Sequence, residues 1–267
     1  MELLKEITRI VGEAAGLLRD LVDDPGIGRI TGVGASGDTT RKADTVVEEF
    51  IISELRRTGI RLCIVTEERG VIIEDPRCEF IALIDPLDGS LNYVSGIPLA
   101  AVSISVYDRK KPYIDKGIVG AIANIFLREV YSFDEDSVYV NGTKILPGTR
   151  SVKGLVSVYT EDPAFLQKLR YVVAELSKDT VKIRTLGSAS LESVYAALNR
   201  IDLFIHNTGK LRNFDVAGAV NIAKRLGIPT LTLRGERLDT RVDKVERIRS
   251  IAIGVYACEA VNLLSNT

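Results

Sequence analysis

The sequence predicts an α+β chain whose second half is α/β, and three observations predict it. Leu3, Leu4, Ile7, Ile10, Val11, Ala14, Leu17, Leu18 and Leu21 recur at helical spacing, the stripe of a helix that packs on one face. Between residues 100 and 146, short β-rich segments follow one another with hairpin signals such as Asn141-Gly142, which reads as an antiparallel sheet. Beyond residue 151, strand-like and helix-like segments alternate, the pattern of an α/β half with a second, mixed sheet. Residues 1–150 and 151–267 are therefore expected as two halves of one unit, with a site between them.

Bulk properties narrow the function classes. At 267 residues the chain can bury a large core. A net charge of −1 argues against a nucleic-acid partner held by bulk electrostatics. No apolar run reaches the length of a membrane span, and the charged first ten residues do not read as a signal peptide. Cys63, Cys78 and Cys258 are odd in number and lack metal-site spacing, so a reducing, cytoplasmic setting with no disulfide framework is expected. A single Met and many Arg point to a thermophilic source.

The elements then follow in order. The first helix stops at Asp23-Asp24-Pro25-Gly26. Gly32-Val33-Gly34-Ala35-Ser36-Gly37 matches G-x-G-x-x-G, but no convincing strand precedes it, and Arg56 and Arg57 stand near where a dinucleotide site needs an acid. It reads as a mobile glycine-rich loop. A second amphipathic helix is expected over 44–57, with Asp44 at its start as a cap and Gly59 closing it. Residues 62–65 form a short strand ending in Thr66-Glu67-Glu68, and residues 80–84 a buried strand ending in Asp85-Pro86-Leu87-Asp88-Gly89-Ser90. Strands are expected at 100–107, 116–123, 129–133, 138–140 and 144–146. In the second half, strands at 154–158, 182–185 and 203–205 precede helices at 162–176, 191–198 and 215–226, and further strands lie at 230–233 and 250–253.

Chemistry gathers at the ends of these elements. The D-P-L-D-G-S turn lets Asp85 and Asp88 face one small volume. Two such anions repel unless a cation sits between them, and a hard cation such as Mg²⁺ takes oxygen ligands. Ser90 and the amides after Gly89 can seat an anion. The same residues also suit a turn that only reverses the chain. Paired glutamates are ordinarily solvated, but adjacent strand ends would bring Glu67 to the same cation. Gly187-Ser188-Ala189-Ser190 opens a helix after a strand, either as a place of close ligand approach or as a plain serine cap. Asp215 starts the last long helix of the pattern as a ligand or as a cap. His206 is the only histidine, its apolar neighbours point to a packed role, and neither a zinc site nor a Ser-His-Asp triad is expected.

Four blocks taken together resemble the inositol monophosphatase family, the lithium-sensitive, Mg²⁺-dependent phosphatases. Thr66-Glu67-Glu68 resembles its G-E-E block. The run Asp85-Pro86-Leu87-Asp88-Gly89-Ser90-Leu91-Asn92-Tyr93 resembles its D-P-[IL]-D-G-[TS]-x-N-[FY] signature. Gly187-Ser188-Ala189-Ser190 and Phe214-Asp215-Val216-Ala217-Gly218 resemble its G-[ST]-A-[AS] and W-D-x-A-A-G blocks. Gly209-Lys210-Leu211-Arg212 looks most like the archaeal branch, which also hydrolyses fructose 1,6-bisphosphate.

The resemblance implies a layered α-β-α-β-α sandwich, two or three Mg²⁺ ions, a small phosphorylated substrate and a homodimer. By position, Glu67, Asp85 and the Leu87 carbonyl would hold the first ion. Asp85, Asp88 and Asp215 would hold the second, and Glu67 would share a third. Ser90 paired with Asp44 would orient the attacking water, and the Gly89 and Ser90 amides would carry phosphate oxygens. Gly187, Ser188 and Ala189 would line the substrate, while Arg184, Lys210 and Arg212 would meet a second phosphate.

Departures from the pattern bear on substrate. Residues 36–41 read S-G-D-T-T-R where archaeal relatives read D-G-T-P-T-K, which bears on the third ion. Asn207-Thr208-Gly209 lacks the acid that inositol-preferring members place there, which turns the expectation toward sugar bisphosphates. The expected function is a Mg²⁺-dependent phosphomonoesterase for fructose 1,6-bisphosphate and inositol 1-phosphate. The alternatives are a 3′(2′),5′-bisphosphate nucleotidase and, from another class, a catalytically weak sugar-phosphate-binding regulatory protein.

Overall fold

Alternation along one strand organises the fold. In the strand Phe80–Asp88, Ile81 and Leu83 turn to one side of the sheet and Ala82 and Ile84 to the other, and all four are buried. A strand buried on both faces needs helices or a second sheet on each side. The computed structural model, which describes residues 2–73, 75–148, 152–177 and 180–266, shows how this is met.

Among the described residues, the helices are α1 (Glu2–Leu21), α2 (Lys42–Arg57), α3 (Ser90–Val94), α4 (Pro163–Ser177), α5 (Ala189–Ala197), α6 (Asn213–Arg225) and α7 (Ala257–Asn266). The larger sheet runs, edge to edge, through Thr143–Ile145, Val138–Val140, Val130–Phe133, Gly117–Asn124, Ala101–Asp108, Phe80–Asp88, Leu62–Thr66 and Gly70–Ile72. Its pairings are antiparallel except for Leu62–Thr66 beside Phe80–Asp88, which is parallel. The second sheet runs through Lys182–Arg184, Leu155–Tyr159, Leu203–His206, Ile251–Gly254 and Thr230–Leu231, with its first two pairings parallel and the rest antiparallel.

Three apolar clusters stack these parts. Ile7, Ile10, Val11 and Leu18 of α1, with Val47, Ile51 and Leu55 of α2, cover Ala82, Ile84, Val102 and Ile104. The opposite face, with Ile81, Leu83, Ile122 and Phe133, packs on Leu191 and Val194 of α5 and on Phe214, Val216 and Ile222 of α6, which in turn meet Phe204, Ile251 and Ile253 of the second sheet. The outer face of that sheet, with Val156, Val158, Leu203 and Ile205, is closed by α4 and α7 through Leu169, Val173, Val261 and Leu264. The layers are α-β-α-β-α. The middle cluster draws on both halves of the chain, and the expected boundary at 150/151 lies outside the described residues.

Several expectations are revised. The G-x-G-x-x-G run is part of a hairpin, Ile30–Val33 paired with Thr39–Arg41, whose strands are mostly exposed and so carry no hydrophobic alternation. The C-terminal α7 is an added helix. The strand expected to stop at residue 84 continues to Asp88.

The cysteine reading is corrected as well. Cys63 and Cys78 form a disulfide, with Cα atoms 5.6 Å apart, and both are buried. Cys63 pairs with Ile81, and parallel pairing forces the intervening segment to return to the same end of the sheet. Cys78, two residues before the strand Phe80–Asp88, is thereby brought beside it. Nothing in cysteine count or spacing shows this, because the neighbour is made by strand pairing. Closing a connection of 15 residues removes freedom from the unfolded chain. The reduced protein should therefore unfold about 2–4 kcal/mol below the oxidised one. Denaturant unfolding with and without a thiol reductant measures this, and coincident curves would show that the bridge contributes nothing.

Candidate active site

Residues three apart in a regular strand point to opposite faces. Asp85 and Asp88 escape this because Asp85 lies opposite Ser103 and Asp88 opposite Ala101, so three steps on one strand match two on the other. The extra residue is a β-bulge that brings both carboxylates to one side. Parallel pairing places Thr66 opposite Ile84, so Glu67 emerges beside Asp85. Asp215 comes from the first turn of α6. Oxygen atoms of Asp85, Asp88 and Asp215 lie within 4.8 Å of one another.

Two helices present their acids in the same way. The Arg41 amide donates to Asp44 Oδ2 at 2.6 Å at the start of α2, and the Arg212 amide donates to Asp215 Oδ2 at 2.6 Å at the start of α6. In each, the acid at the third helical position reaches back to the capping residue, the reciprocal half of a capping box. Both aspartates therefore serve the helix starts from the third helical position, with Arg41 and Arg212 as the N-caps in place of the aspartates expected there, and for Asp215 this coexists with membership of the acid cluster.

Asp88 is gripped by the start of α5. Its Oδ2 accepts from the Ser188 hydroxyl and from the Ser190 amide at 3.1 Å, and its Oδ1 accepts from the Ala189 amide at 3.1 Å. Ser188 thus serves the carboxylate and not the open pocket expected of it. Two glycines make the approach possible. Gly89, at φ 81°, would bring a Cβ within 3.0 Å of the Gly187 carbonyl, and a Cβ on Gly187, at φ 94°, would strike the Asn92 side chain at 2.6 Å. Asn92 donates to the carbonyls of Leu99 at 2.9 Å and Leu186 at 2.7 Å, so it laces the two loops together.

Burial is the main force on the protonation of these acids. It raises Asp85 well above the usual carboxylate range, with Glu67, Asp88 and Asp215 adding repulsion. Glu67 is raised likewise by burial and then by Asp215. Asp88 is pushed up to about 7 by burial, against the hydrogen bonds from Ser188 and Ser190. Asp215 is pushed up to about 8 and Asp44 to about 7 by burial, each against its own capping amide. Asp85 Oδ2 is buried and has no hydrogen-bond partner among the described residues, while Oδ1 accepts from the Leu87 amide at 3.1 Å. Clustered carboxylates with an unsatisfied oxygen at their centre fit a hard divalent cation.

A model of the inositol monophosphatase family matches residues 2–253. The chain belongs to this family. It is 33% identical over 254 residues to the inositol-1-monophosphatase of Aeropyrum pernix, covering 94% of this chain and 91% of that one. It is 32% identical over 257 residues to the fructose-1,6-bisphosphatase/inositol-1-monophosphatase of Archaeoglobus fulgidus, covering 93% of each. The fold matches the crystal structure of the extragenic suppressor protein suhB from Bartonella henselae with a TM-score of 0.80, at 20% identity and with 99% of this chain and 98% of that one covered.

Within this family frame, the other expected site residues separate. Gly89 opens α3 at Ser90, but no hydrogen bond joins Ser90 to Asp44 among the described residues. Arg212 differs from its expected place at the rim. It is buried, and its guanidinium donates to the Ser36 carbonyl at 2.6 Å and to the Lys210 carbonyl, with Asp38 at 3.6 Å. It fastens the tip of the Ile30–Arg41 hairpin, whose Ala35 and Ser36 amides also donate to the carbonyls of Glu68 and Glu67. Arg184 and Lys210 are exposed, the latter paired with Glu161.

Sequence reasoning passed over two buried glutamates. Glu48 accepts from the Thr66 hydroxyl at 2.7 Å and pairs with Arg69 at 2.8 Å, bracing the turn that carries Glu67. Glu192 braces the loop before α5. A charged residue on the apolar side of a helix pattern was the available signal for each.

His206 is packed, as its neighbours suggested. It stacks on Tyr159 with ring centroids 5.0 Å apart, and Nδ1 is buried with no partner among the described residues. Burial pushes its imidazole down to about 4, below the unfolded value near 6.5. Folding then favours the neutral ring, so this contribution is complete above pH 6.5 and is lost as pH falls toward 4. His206→Phe keeps the stack and removes the titration. Between pH 7 and pH 5 the wild type should lose roughly 1–2 kcal/mol more than the variant in urea unfolding without metal. Parallel losses in the two proteins would show that His206 does not titrate in this way.

Proposed function

We propose that the chain is a Mg²⁺-dependent phosphomonoesterase acting on fructose 1,6-bisphosphate and inositol 1-phosphate. The observation that carries this reading is the convergence of Asp85, Asp88 and Asp215 beside Glu67, with the Asp85 oxygen left unsatisfied, in a chain of this family. The two relatives named above bear both substrate names between them. Neither the nucleotidase nor the regulatory binding protein is favoured.

Glu67, Asp85, the Leu87 carbonyl, Asp88 and Asp215 would hold two or three Mg²⁺ ions. Bound there, Mg²⁺ offsets the charge of acids and phosphate and lowers the pKa of a water. The chain's own part is positioning, which is most of what phosphoryl transfer asks of a protein. Ser90 and Asp44, with Glu67, would orient the attacking water, since the Ser90 hydroxyl is not committed to Asp44. The amides of Gly89 and Ser90 would receive phosphate oxygens, and Gly187 and Ala189 would border the leaving group. Arg184 and Lys210 are the exposed cations left to meet a second phosphate once Arg212 is committed to the hairpin. Li⁺ competing for the second ion's ligands, a homodimer and a cytoplasmic location complete the proposal.

Phosphate release should follow from both substrates with Mg²⁺ and from neither without it. Asp88→Asn should lower kcat about 10³-fold with the fold retained, because one ligand charge is lost where the leaving oxygen develops its own. Near-wild-type turnover at saturating Mg²⁺ would remove Asp88 from the mechanism.

A graded effect is expected at the rim. Arg184→Ala and Lys210→Ala should raise KM for fructose 1,6-bisphosphate about 3- to 10-fold and leave inositol 1-phosphate unaffected. Equal losses on both substrates, or none on either, would place the second phosphate elsewhere.

A further inference from the structure

Glu192 is a wholly buried carboxylate in the apolar middle layer. It lies one turn into α5, and long helical side chains lean back toward the N-terminus. There it accepts from five donors: the Ser157 and Tyr159 hydroxyls, the Leu186 amide at 3.1 Å, the Gly187 amide at 3.0 Å and the Ser188 amide at 3.4 Å. Ser157 and Tyr159 stand two apart on the strand Leu155–Tyr159, so both face the helix. Tyr159 is held in turn by the stacked His206 ring, and its hydroxyl also accepts from the Gly187 amide at 2.8 Å.

A buried charge is costly unless it is fully hydrogen-bonded, so an acid kept here has to be used. What it shapes is the turn 186–188, and Ser188, Ala189 and Ser190 supply every donor that Asp88 receives among the described residues. Asp88 Oδ2 already takes two donors and Oδ1 takes one, so Oδ1 is the oxygen with a lone pair to spare.

We infer that Glu192 is a positioning residue that, through Tyr159 and the turn 186–188, fixes Asp88 as a one-oxygen ligand for the divalent cation. Glu192 itself touches neither cation nor substrate. The inference rests on the metal-dependent reading above, and its test uses binding of Mg²⁺ alone, without substrate.

Isothermal titration of Mg²⁺ into the metal-stripped full chain should give an affinity weakened about 10- to 100-fold in Glu192→Gln, the usual scale for a partner behind a metal ligand. Tyr159→Phe, which keeps the Glu192 charge and removes one donor, should weaken it about 3- to 10-fold. Asp202→Asn is the control for loss of any buried carboxylate. Asp202 is also wholly buried and accepts from the amides of Lys153 at 2.8 Å and Leu155 at 3.0 Å. It should leave Mg²⁺ affinity unchanged.

Circular dichroism establishes that each variant is folded. Should Glu192→Gln not fold, Tyr159→Phe decides alone. Unchanged affinity in Tyr159→Phe, or an equal loss in the Asp202 control, would overturn the inference while leaving wild-type Mg²⁺ binding and turnover intact. Absence of Mg²⁺ binding in the wild type would overturn the metal reading and the inference together.

Discussion

Mutual repulsion among buried carboxylates is the constraint on which this structure turns. Glu67, Asp85, Asp88 and Asp215 come from three separate elements and are brought together where water is scarce. Left alone, they would drive those elements apart or hold protons. The fold opposes this from outside the cluster. A bulge, a parallel strand pair and two helix starts each fix one acid through backbone hydrogen bonds, which do not depend on the charge state of the neighbours. The apolar clusters on both faces of the larger sheet hold those elements in place.

Helix starts recur in this scheme for an electrostatic reason. Free amides at a helix N-terminus carry partial positive charge. Asp44, Asp88 and Asp215 each accept from such amides, so part of their charge is offset before any ion arrives. The offset is incomplete, because all three remain raised above the usual carboxylate range. A cluster fully neutralised by protein donors would have little affinity left for a cation. A cluster with none would not fold. This one lies between.

Much of the site was legible in the sequence, since its acids sit in short motifs at element ends and their spacing is itself the signal. The layers followed from helical stripes and strand alternation. What stayed hidden depends on partners distant in the chain. Cys63 and Cys78 are neighbours only through a parallel pairing. Arg212 was expected at the rim because it stands with Lys210 just before Asp215, yet it is buried against a carbonyl 176 positions away. Glu192 belongs to none of the four motif blocks, and its role appears only once the strand Leu155–Tyr159 is placed against α5. The hairpin at residues 30–41 buries only polar side chains, Ser36 and Thr40, so no apolar periodicity announces it.

The disulfide stands at one end of the two strands whose other ends carry Glu67 and Asp85. Parallel strands under thermal agitation can slide past each other, and a slide that keeps every side chain on its proper face must cover two residues, roughly 6.6 Å. Such a step would carry Glu67 out of reach of Asp85 while keeping apolar side chains on apolar faces, so alternation by itself does not oppose it as it opposes a slip of one residue. A covalent tie at the far end forbids it. The bridge therefore acts as an alignment pin: it preserves the spacing of two acids it never touches, and it does so most where heat makes sliding frequent.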